Sequence, residues 1–261
     1  GGFVMSAKPK VAFFDFTSCE GCQLTVIDSL QTHPEILDAI EIVCFREAMS
    51  EKGDDYQIAF IEGSCTRPSD ESVMKAIRDR AELVVALGTC AHLGGINTIR
   101  NRFDLDNVRQ YVYGDKAEWY ETYPARPIDA VIPIDAVLPG CPIDRREFMA
   151  ALKVLLQGRV FQIPDYPVCI ECKLKEIVCV YLRGKTCLGP ITRAGCDAIC
   201  PTYGDGCEGC RGLIPDPNID SLRQILAEHD LNPEETLAKM TLFLNYQTME
   251  REAADDDQGN G

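Results

Sequence analysis

The sequence predicts an α/β protein, a doubly wound parallel sheet followed by a cysteine-rich, loop-rich domain. Two observations carry this. Up to about residue 160, short and continuously apolar runs alternate with helix-periodic stretches, the pattern of a parallel sheet covered on both faces. Beyond that the alternation stops, and eight of the 14 cysteines fall within the 42 residues from Cys169 to Cys210. This segment has no long apolar run of its own, so its structure is expected to depend on whatever the thiols bind.

In chain order, residues 10–16 (KVAFFDF) read as the first strand, and the loop TSCEGCQ leads into a helix through Leu24, Ile27 and Leu30. EIVCF at 41–45 and QIAFIEG at 57–63 are the next strands, a helix covers 69–80, and ELVVALG at 82–88 is the fourth strand. AHLGGINTIR gives a glycine-containing loop and a helix start, and 101–128 is less regular. AVIPIDAVLPG at 130–140 is a further apolar run, with a helix over 145–156. After the cysteine segment, GLIPDPNID is a proline-punctuated connector. Helical periodicity resumes over 220–246 through Leu222, Ile225, Leu226 and Leu231, then Leu237, Met240, Leu242 and Phe243, with Asn232-Pro233 opening the second helix. Three parts follow: 1–160, 161–215, and 216–261, the last ending in the acidic AADDDQGNG, expected to be disordered. The start, GGFVMSAK, reads as a processing scar ahead of Met5.

A net charge of −15 argues against nucleic acid as a partner, since phosphate binding draws on clustered Lys and Arg. No apolar stretch approaches the roughly 20 residues that span a bilayer, and no leader precedes the first strand. A cytoplasmic location is therefore expected, with no membrane association. In a reducing compartment, 14 cysteines point to metal rather than disulfides.

The segment reads C-x2-C-x6-C-x7-C, then eight residues, then C-x3-C-x6-C-x2-C. Two sets of four thiols are the arithmetic of two metal centres. The sheet adds a third. Cys19 and Cys22, Cys65, Cys90 and Cys141 each follow a predicted strand, and open α/β sheets gather ligands beyond the carboxyl ends of their strands. Topology thus offers five candidates for four places. Cys19 and Cys22 form a C-x2-C anchor, with Gly21 removing a side chain where backbone and metal centre approach. Cys44, inside a strand, reads as a small buried hydrophobe.

Twelve thiols in three groups exceed what stapling with zinc requires, and CDAICP resembles the end of a bacterial ferredoxin run, which favours iron. Between residues 169 and 211, six basic side chains (Lys173, Lys175, Arg183, Lys185, Arg193, Arg211) stand against five acids. Cations near a cluster raise its potential, although each alone reads as a solvated surface group. His33 and His229 read as surface residues. His92, two after Cys90, reads as a hydrogen-bonding neighbour of the first site. Glu62, at the same sheet edge, reads equally as a proton relay or as a helix cap. No nucleophilic constellation and no G-x-G-x-x-G fingerprint is present.

Together, FTSCEGCQL, FIEGS, GTCAHLGG and PGCP, followed by PVCIECKLKEIVC, CLGPITRAGC, CPTYG and CEGCRG, resemble the small subunit of [NiFe] hydrogenases. Within that family they are most similar to the delta subunit of the cytoplasmic, NAD(P)-linked, bidirectional (sulfhydrogenase) type. The similarity covers about residues 9–246, and its specificity lies in the joint occurrence of the motifs. GLIPDPN departs from the family wording, and the acidic terminus has no counterpart.

The resemblance implies a flavodoxin-like first domain holding a proximal [4Fe–4S] cluster on Cys19, Cys22, Cys90 and Cys141. The family has no cysteine at the position of Cys65. It implies a distal [4Fe–4S] cluster on Cys169, Cys172, Cys179 and Cys187, and a medial one on Cys196, Cys200, Cys207 and Cys210. Some small subunits carry His and Pro at the places of Cys169 and Cys200; cysteine at both implies two four-iron clusters here. None of these residues is implied to be catalytic. The role implied is electron transfer from or to a nickel–iron site in a partner large subunit, where H2 is split, with further iron–sulfur and flavin subunits holding FAD and binding NAD(P). Three other readings remain. The first is a deazaflavin- or heterodisulfide-linked hydrogenase small subunit, and the second a zinc-stapled adaptor. The third is the related quinone-reductase subunit, which places adjacent cysteines at its first motif and lacks the second cysteine-rich segment.

Overall fold

The structure is a computed structural model and describes residues 8–249. The expectations for the first residues and for the acidic tail lie outside the described residues. The first part runs β1 (Lys10–Asp15), α1 (Gly21–Thr32), β2 (Glu41–Phe45), β3 (Ile58–Glu62), α2 (Pro68–Arg80), β4 (Leu83–Leu87), α3 (Gly88–Leu93), α4 (Leu105–Tyr113), β5 (Ala136–Leu138) and α5 (Arg145–Leu155). The five strands form one parallel sheet in the order β2-β1-β3-β4-β5. This is the flavodoxin-type doubly wound order. β3 is buried at every residue, which is why IAFIE reads as continuously apolar.

Two stretches differ from their sequence reading. The run at 130–140 yields only the three-residue β5, because Pro133 and Pro139 each lack the N–H that a ladder needs. The irregular 101–128 stretch contains α4, capped by the Asp104 side chain accepting from Asn107 N. No residue of α4 is buried, so its apolar periodicity serves no core among the described residues. Leu24 of α1 is also left 55% exposed, because this helix turns Cys22, Gln23 and Val26 inward instead.

One face of the sheet packs Phe13, Phe45 and Phe60 against α1 and α5; the other packs Ile61 and Val84 against Met74 and Ile77 of α2. Phe60 is at the centre of the first core, 5.0 Å from the Phe13 ring and 5.8 Å from that of Phe148.

The remainder contains α6 (Val168–Leu174), α7 (Ile199–Thr202), α8 (Ile219–Glu228), α9 (Pro233–Ala238) and α10 (Met240–Phe243). Asn218 and Asn232 cap α8 and α9 through their side chains. The cysteine segment does have a hydrophobic core, contrary to the expectation from its sequence. Val180, Tyr181, Leu188 and Ile191 are packed with Leu222, Leu226, Met240 and Leu244 of the C-terminal helices, and with Leu93 of α3. Much of the apolar material comes from outside the segment.

A buried ion pair joins this part to the sheet domain. Arg211 donates from Nη2 to Glu147 Oε1 (2.6 Å) and from Nη1 to Glu147 Oε2 (2.8 Å). The same guanidinium donates to the carbonyls of Pro139 (2.8 Å) and Ala194 (2.7 Å). Among the described residues no helix is long and apolar enough to cross a membrane.

Phe60→Ala removes the ring that bridges β1, β3 and α5, and should cost about 3–5 kcal/mol. The check is a lowered urea midpoint at unchanged slope.

Candidate metal centres

Four cysteines converge at the carboxyl edge of the sheet. Cys19 lies in the loop after β1, Cys22 in the first turn of α1, Cys90 in α3 directly after β4, and Cys141 beyond β5. Burial pushes Cys22 above the ordinary thiol range, reinforced by Glu62, Cys90 and Cys141. Burial, then Cys141 and Cys19, push Cys90 up to about 12. Burial and Cys19 likewise raise Cys141. Each thiol thus makes the next harder to ionise, so four thiolates here require a positively charged centre between them.

The fifth candidate is held elsewhere. Cys65 is fully buried, its Sγ lies 2.8 Å from Tyr123 Oη, and its backbone pairs with Arg126. Cys44 packs partly buried against the sheet core. Two glycines leave room around the quartet. A Cβ on Gly21 would stand 3.3 Å from Cys19 Sγ. One on Gly88, whose φ is +82°, would stand 2.3 Å from Cys22 Sγ, closer than any side chain can be.

The other eight cysteines line two cavities. Cys169, Cys172, Cys179 and Cys187 line one of about 120 Å3, with Val180 and Tyr181 among its apolar walls. Burial and the three companion thiols push Cys169 up to about 12. Cys187 Sγ accepts from Gly189 N (3.3 Å) and Cys207 N (3.1 Å). Cys196, Cys200, Cys207 and Cys210 line a second cavity of about 420 Å3, whose wall also includes Cys141 and Arg211. Burial pushes Cys210 up to about 12, opposed by the backbone amide of Cys141 and by the charge of Arg211.

The three groups are in series. Thr89, beside Cys90, donates its hydroxyl to Cys210 O (2.5 Å), and Cys207 N donates to Cys187 Sγ. Pro201 lines both cavities. Among the described residues no three His, Cys, Asp or Glu side chains are grouped as ligands of a single metal ion.

Glu62 is 2% exposed, and its two carboxylate oxygens accept from Cys22 N (3.1 Å) and Gln23 N (2.9 Å). It therefore caps the start of α1 and fixes the turn that carries Cys22. Burial raises this carboxyl, against the pull of those two amides. His92 lines a cavity of about 230 Å3 with Pro127, Asp129, Tyr246 and Gln247. Burial, then Arg193 and Arg211, push it down to about 4. His33 is exposed at the end of α1, and the His229 ring lies 5.6 Å from that of Tyr181.

Two polar residues of the site, Glu171 and Glu147, escaped the sequence reading, and a third, Arg211, reads there as one of six basic groups, each alone a solvated one. Glu171, between Cys169 and Cys172, accepts from Gly195 N (2.7 Å) and Ala198 N (2.9 Å) and so fixes the loop bearing Cys196. Arg211 is 1% exposed and Glu147 8%. The signal for Arg211 is the basic excess of the 169–211 segment; nothing local marks Glu147, 64 residues away along the chain. Of the other basic residues, Lys175 pairs with Asp197 (2.7 Å) and Lys185 with Asp205 (3.1 Å), both at the surface.

A family model described as NADH ubiquinone oxidoreductase, 20 Kd subunit, matches residues 19–155. The chain belongs to this family. Among its relatives in the family, the sulfhydrogenase 2 subunit delta of Pyrococcus furiosus is 34% identical over 235 residues, 88% of this chain and 96% of that protein. A subunit of the vhu F420-non-reducing hydrogenase of Methanocaldococcus jannaschii is 31% identical, over 81% of this chain and 84% of its own. A chain of a NAD+-reducing [NiFe]-hydrogenase solved in the H2-reduced state shares the fold, with a TM-score of 0.54, 23% identity, and coverage of 60% of this chain and 96% of that one. The resemblance to hydrogenase small subunits read from the motifs is borne out, as is the flavodoxin-like α/β architecture.

Gly88→Ala forces a methyl group onto Cys22 Sγ. Bound metal per chain, read by elemental analysis, should fall by the share held at the Cys19–Cys141 site while the share of the other two groups is kept.

Proposed function

We propose that this chain is the electron-transferring small subunit of a [NiFe] hydrogenase, holding three [4Fe–4S] clusters. The observation that carries this is the serial arrangement of three thiol quartets. Cys19, Cys22, Cys90 and Cys141 would hold the proximal cluster. Cys196, Cys200, Cys207 and Cys210 would hold the medial one, and Cys169, Cys172, Cys179 and Cys187 the distal one. When bound, such clusters supply one-electron storage at a potential set by charge, hydrogen bonds to sulfur, and solvent exposure.

Twelve thiols in three groups exceed what stapling with zinc requires, and they favour clusters. The protein's own contribution is to hold the thiols in place, to keep water out with apolar walls, and to aim amides at sulfur, as Cys207 N does at Cys187.

The reading needs partners. This chain contributes no catalytic residue to it; H2 would be split, or protons reduced, at the nickel–iron site of a large subunit. Tyr111, Trp119 and Phe103 are 92%, 74% and 61% exposed around α4, and Leu174, Leu182 and Tyr203 are 81%, 68% and 84% exposed in the cysteine-rich part. Exposed apolar residues in such numbers suit surfaces covered in an assembly. Iron–sulfur and flavin subunits holding FAD and binding NAD(P) would complete it, in the cytoplasm. A second reading changes only the acceptor, because the relatives include F420-non-reducing hydrogenases; the flavoprotein that co-purifies decides between the two.

The purified complex should contain iron and labile sulfide and no stoichiometric zinc. In electron paramagnetic resonance, Cys90→Ser or Cys141→Ser should abolish or alter the signal of one cluster, and Cys65→Ser should leave all three. Zinc without sulfide would establish the adaptor reading instead, and a cluster lost in the Cys65 variant would overturn the ligand assignment.

A further inference from the structure

Arg211 is the largest fully buried side chain of the described residues, at 1% exposure. A guanidinium so placed is stable only when its donors are satisfied, and here Nε, Nη1 and Nη2 together make four hydrogen bonds, two to Glu147 and two to carbonyls. The pair is neutral as a whole, but it is oriented. Arg211 lines the cavity of the Cys196, Cys200, Cys207 and Cys210 quartet, and Glu147 is not among its lining residues. The guanidinium charge acts on Cys196 and Cys210. The charged groups that act most strongly on Glu147 are Arg211, Asp144 and Glu171. The cationic end therefore faces the thiols and the anionic end faces α5.

Around the same quartet, Glu171 acts on Cys196 in the opposite sense, and Asp205 and Glu208 act on Cys200. Lys185 and Lys239, which pair with Asp205 and Glu208, are at the surface and screened by water. Arg211 is thus the buried cation at this site.

We propose that Arg211, oriented by Glu147, sets the reduction potential of the Cys196–Cys210 site and holds it above the value those four thiolates would otherwise give. This rests on the reading that the quartet binds a redox cluster. Reduction adds one negative charge to the site, the guanidinium stabilises that added charge, and the potential rises. Glu147 keeps the guanidinium in place without cancelling it, because Arg211 lines the cavity of the quartet and Glu147 does not.

The test is a redox titration of the intact hydrogenase complex followed by electron paramagnetic resonance, with the Cys196–Cys210 signal identified by its change in Cys200→Ser. Arg211→Met combined with Glu147→Leu removes both charges and leaves neither unpaired. It should lower the midpoint of that signal by at least a tenfold change in the reduction equilibrium, about 59 mV for one electron, and move the other two less. Arg211→Lys keeps the charge and should move the midpoint by less than half as much.

A midpoint that stays or rises in the double variant would overturn the proposal, as would an equal shift at all three sites. Failure of the double variant to assemble that cluster would also overturn it, making the pair a clasp only. A wild-type complex without any iron–sulfur signal would instead sink the function proposed above, and this inference with it.

Discussion

Segments far apart in a parallel α/β chain can meet at only a few places, and the carboxyl edge of the sheet is the one where every loop is free to carry a ligand. Four thiols at this edge come from loops after β1, β4 and β5, and their spacing is set by strand register rather than by sequence distance. The pairings Val11↔Ile58, Ile58↔Leu83 and Val85↔Ala136 fix that register. A slip of one residue would reverse the faces of the moved strand and displace the loop that follows it. The aromatic core of Phe13, Phe45, Phe60 and Phe148, which also includes Cys22, is therefore coupled to the site.

The cysteine-rich part solves a different problem. Eight thiols and many glycines leave little apolar mass with which to offset chain entropy. The structure recruits it from α8, α9 and α10, and from Leu93 of α3. Recruitment alone would leave orientation loose, because apolar contact is non-directional. The bidentate Arg211–Glu147 pair, the Thr89 hydroxyl on Cys210 O and the Glu171 carboxylate on the 195–198 loop supply direction. The Thr89 and Glu171 bonds each run from one thiol group to the next, and the ion pair ties the second group to α5, so the polar bonds that fix the fold also fix the order of the sites.

Sequence alone made much of this legible. Continuously apolar strands gave the parallel sheet, and the C-x2-C at Cys19 and Cys22 announced a site after β1. Cys65 shows the limit of topology. It follows β3 as Cys90 follows β4, yet its chain pairs with Arg126 and turns the thiol to Tyr123, a long-range contact that no local pattern encodes. Arg211 shows another limit. Composition treats an arginine in a polar segment as surface, and only the position of Glu147 on α5 reveals that the charge is buried. Leu24 misled in the opposite sense, since this apolar side chain is left 55% exposed.

That last point bears on how the chain works. The thiol groups differ in which members reach the surface: Cys19 and Cys141 at the sheet edge, Cys200 in the second cavity and Cys179 in the first are exposed, while Cys22, Cys187 and Cys207 are buried. On the proposed reading, an exposed thiolate leaves a redox centre open to water, which screens neighbouring charges and weakens the influence of residues such as Arg211. A subunit seated over Cys19 and Cys141 would exclude that water and raise the weight of every buried charge beside the site. The potentials that matter are then properties of the assembly. The chain supplies the thiols, their order and the oriented Arg211–Glu147 pair, and its partners supply the low dielectric in which that pair has its full effect.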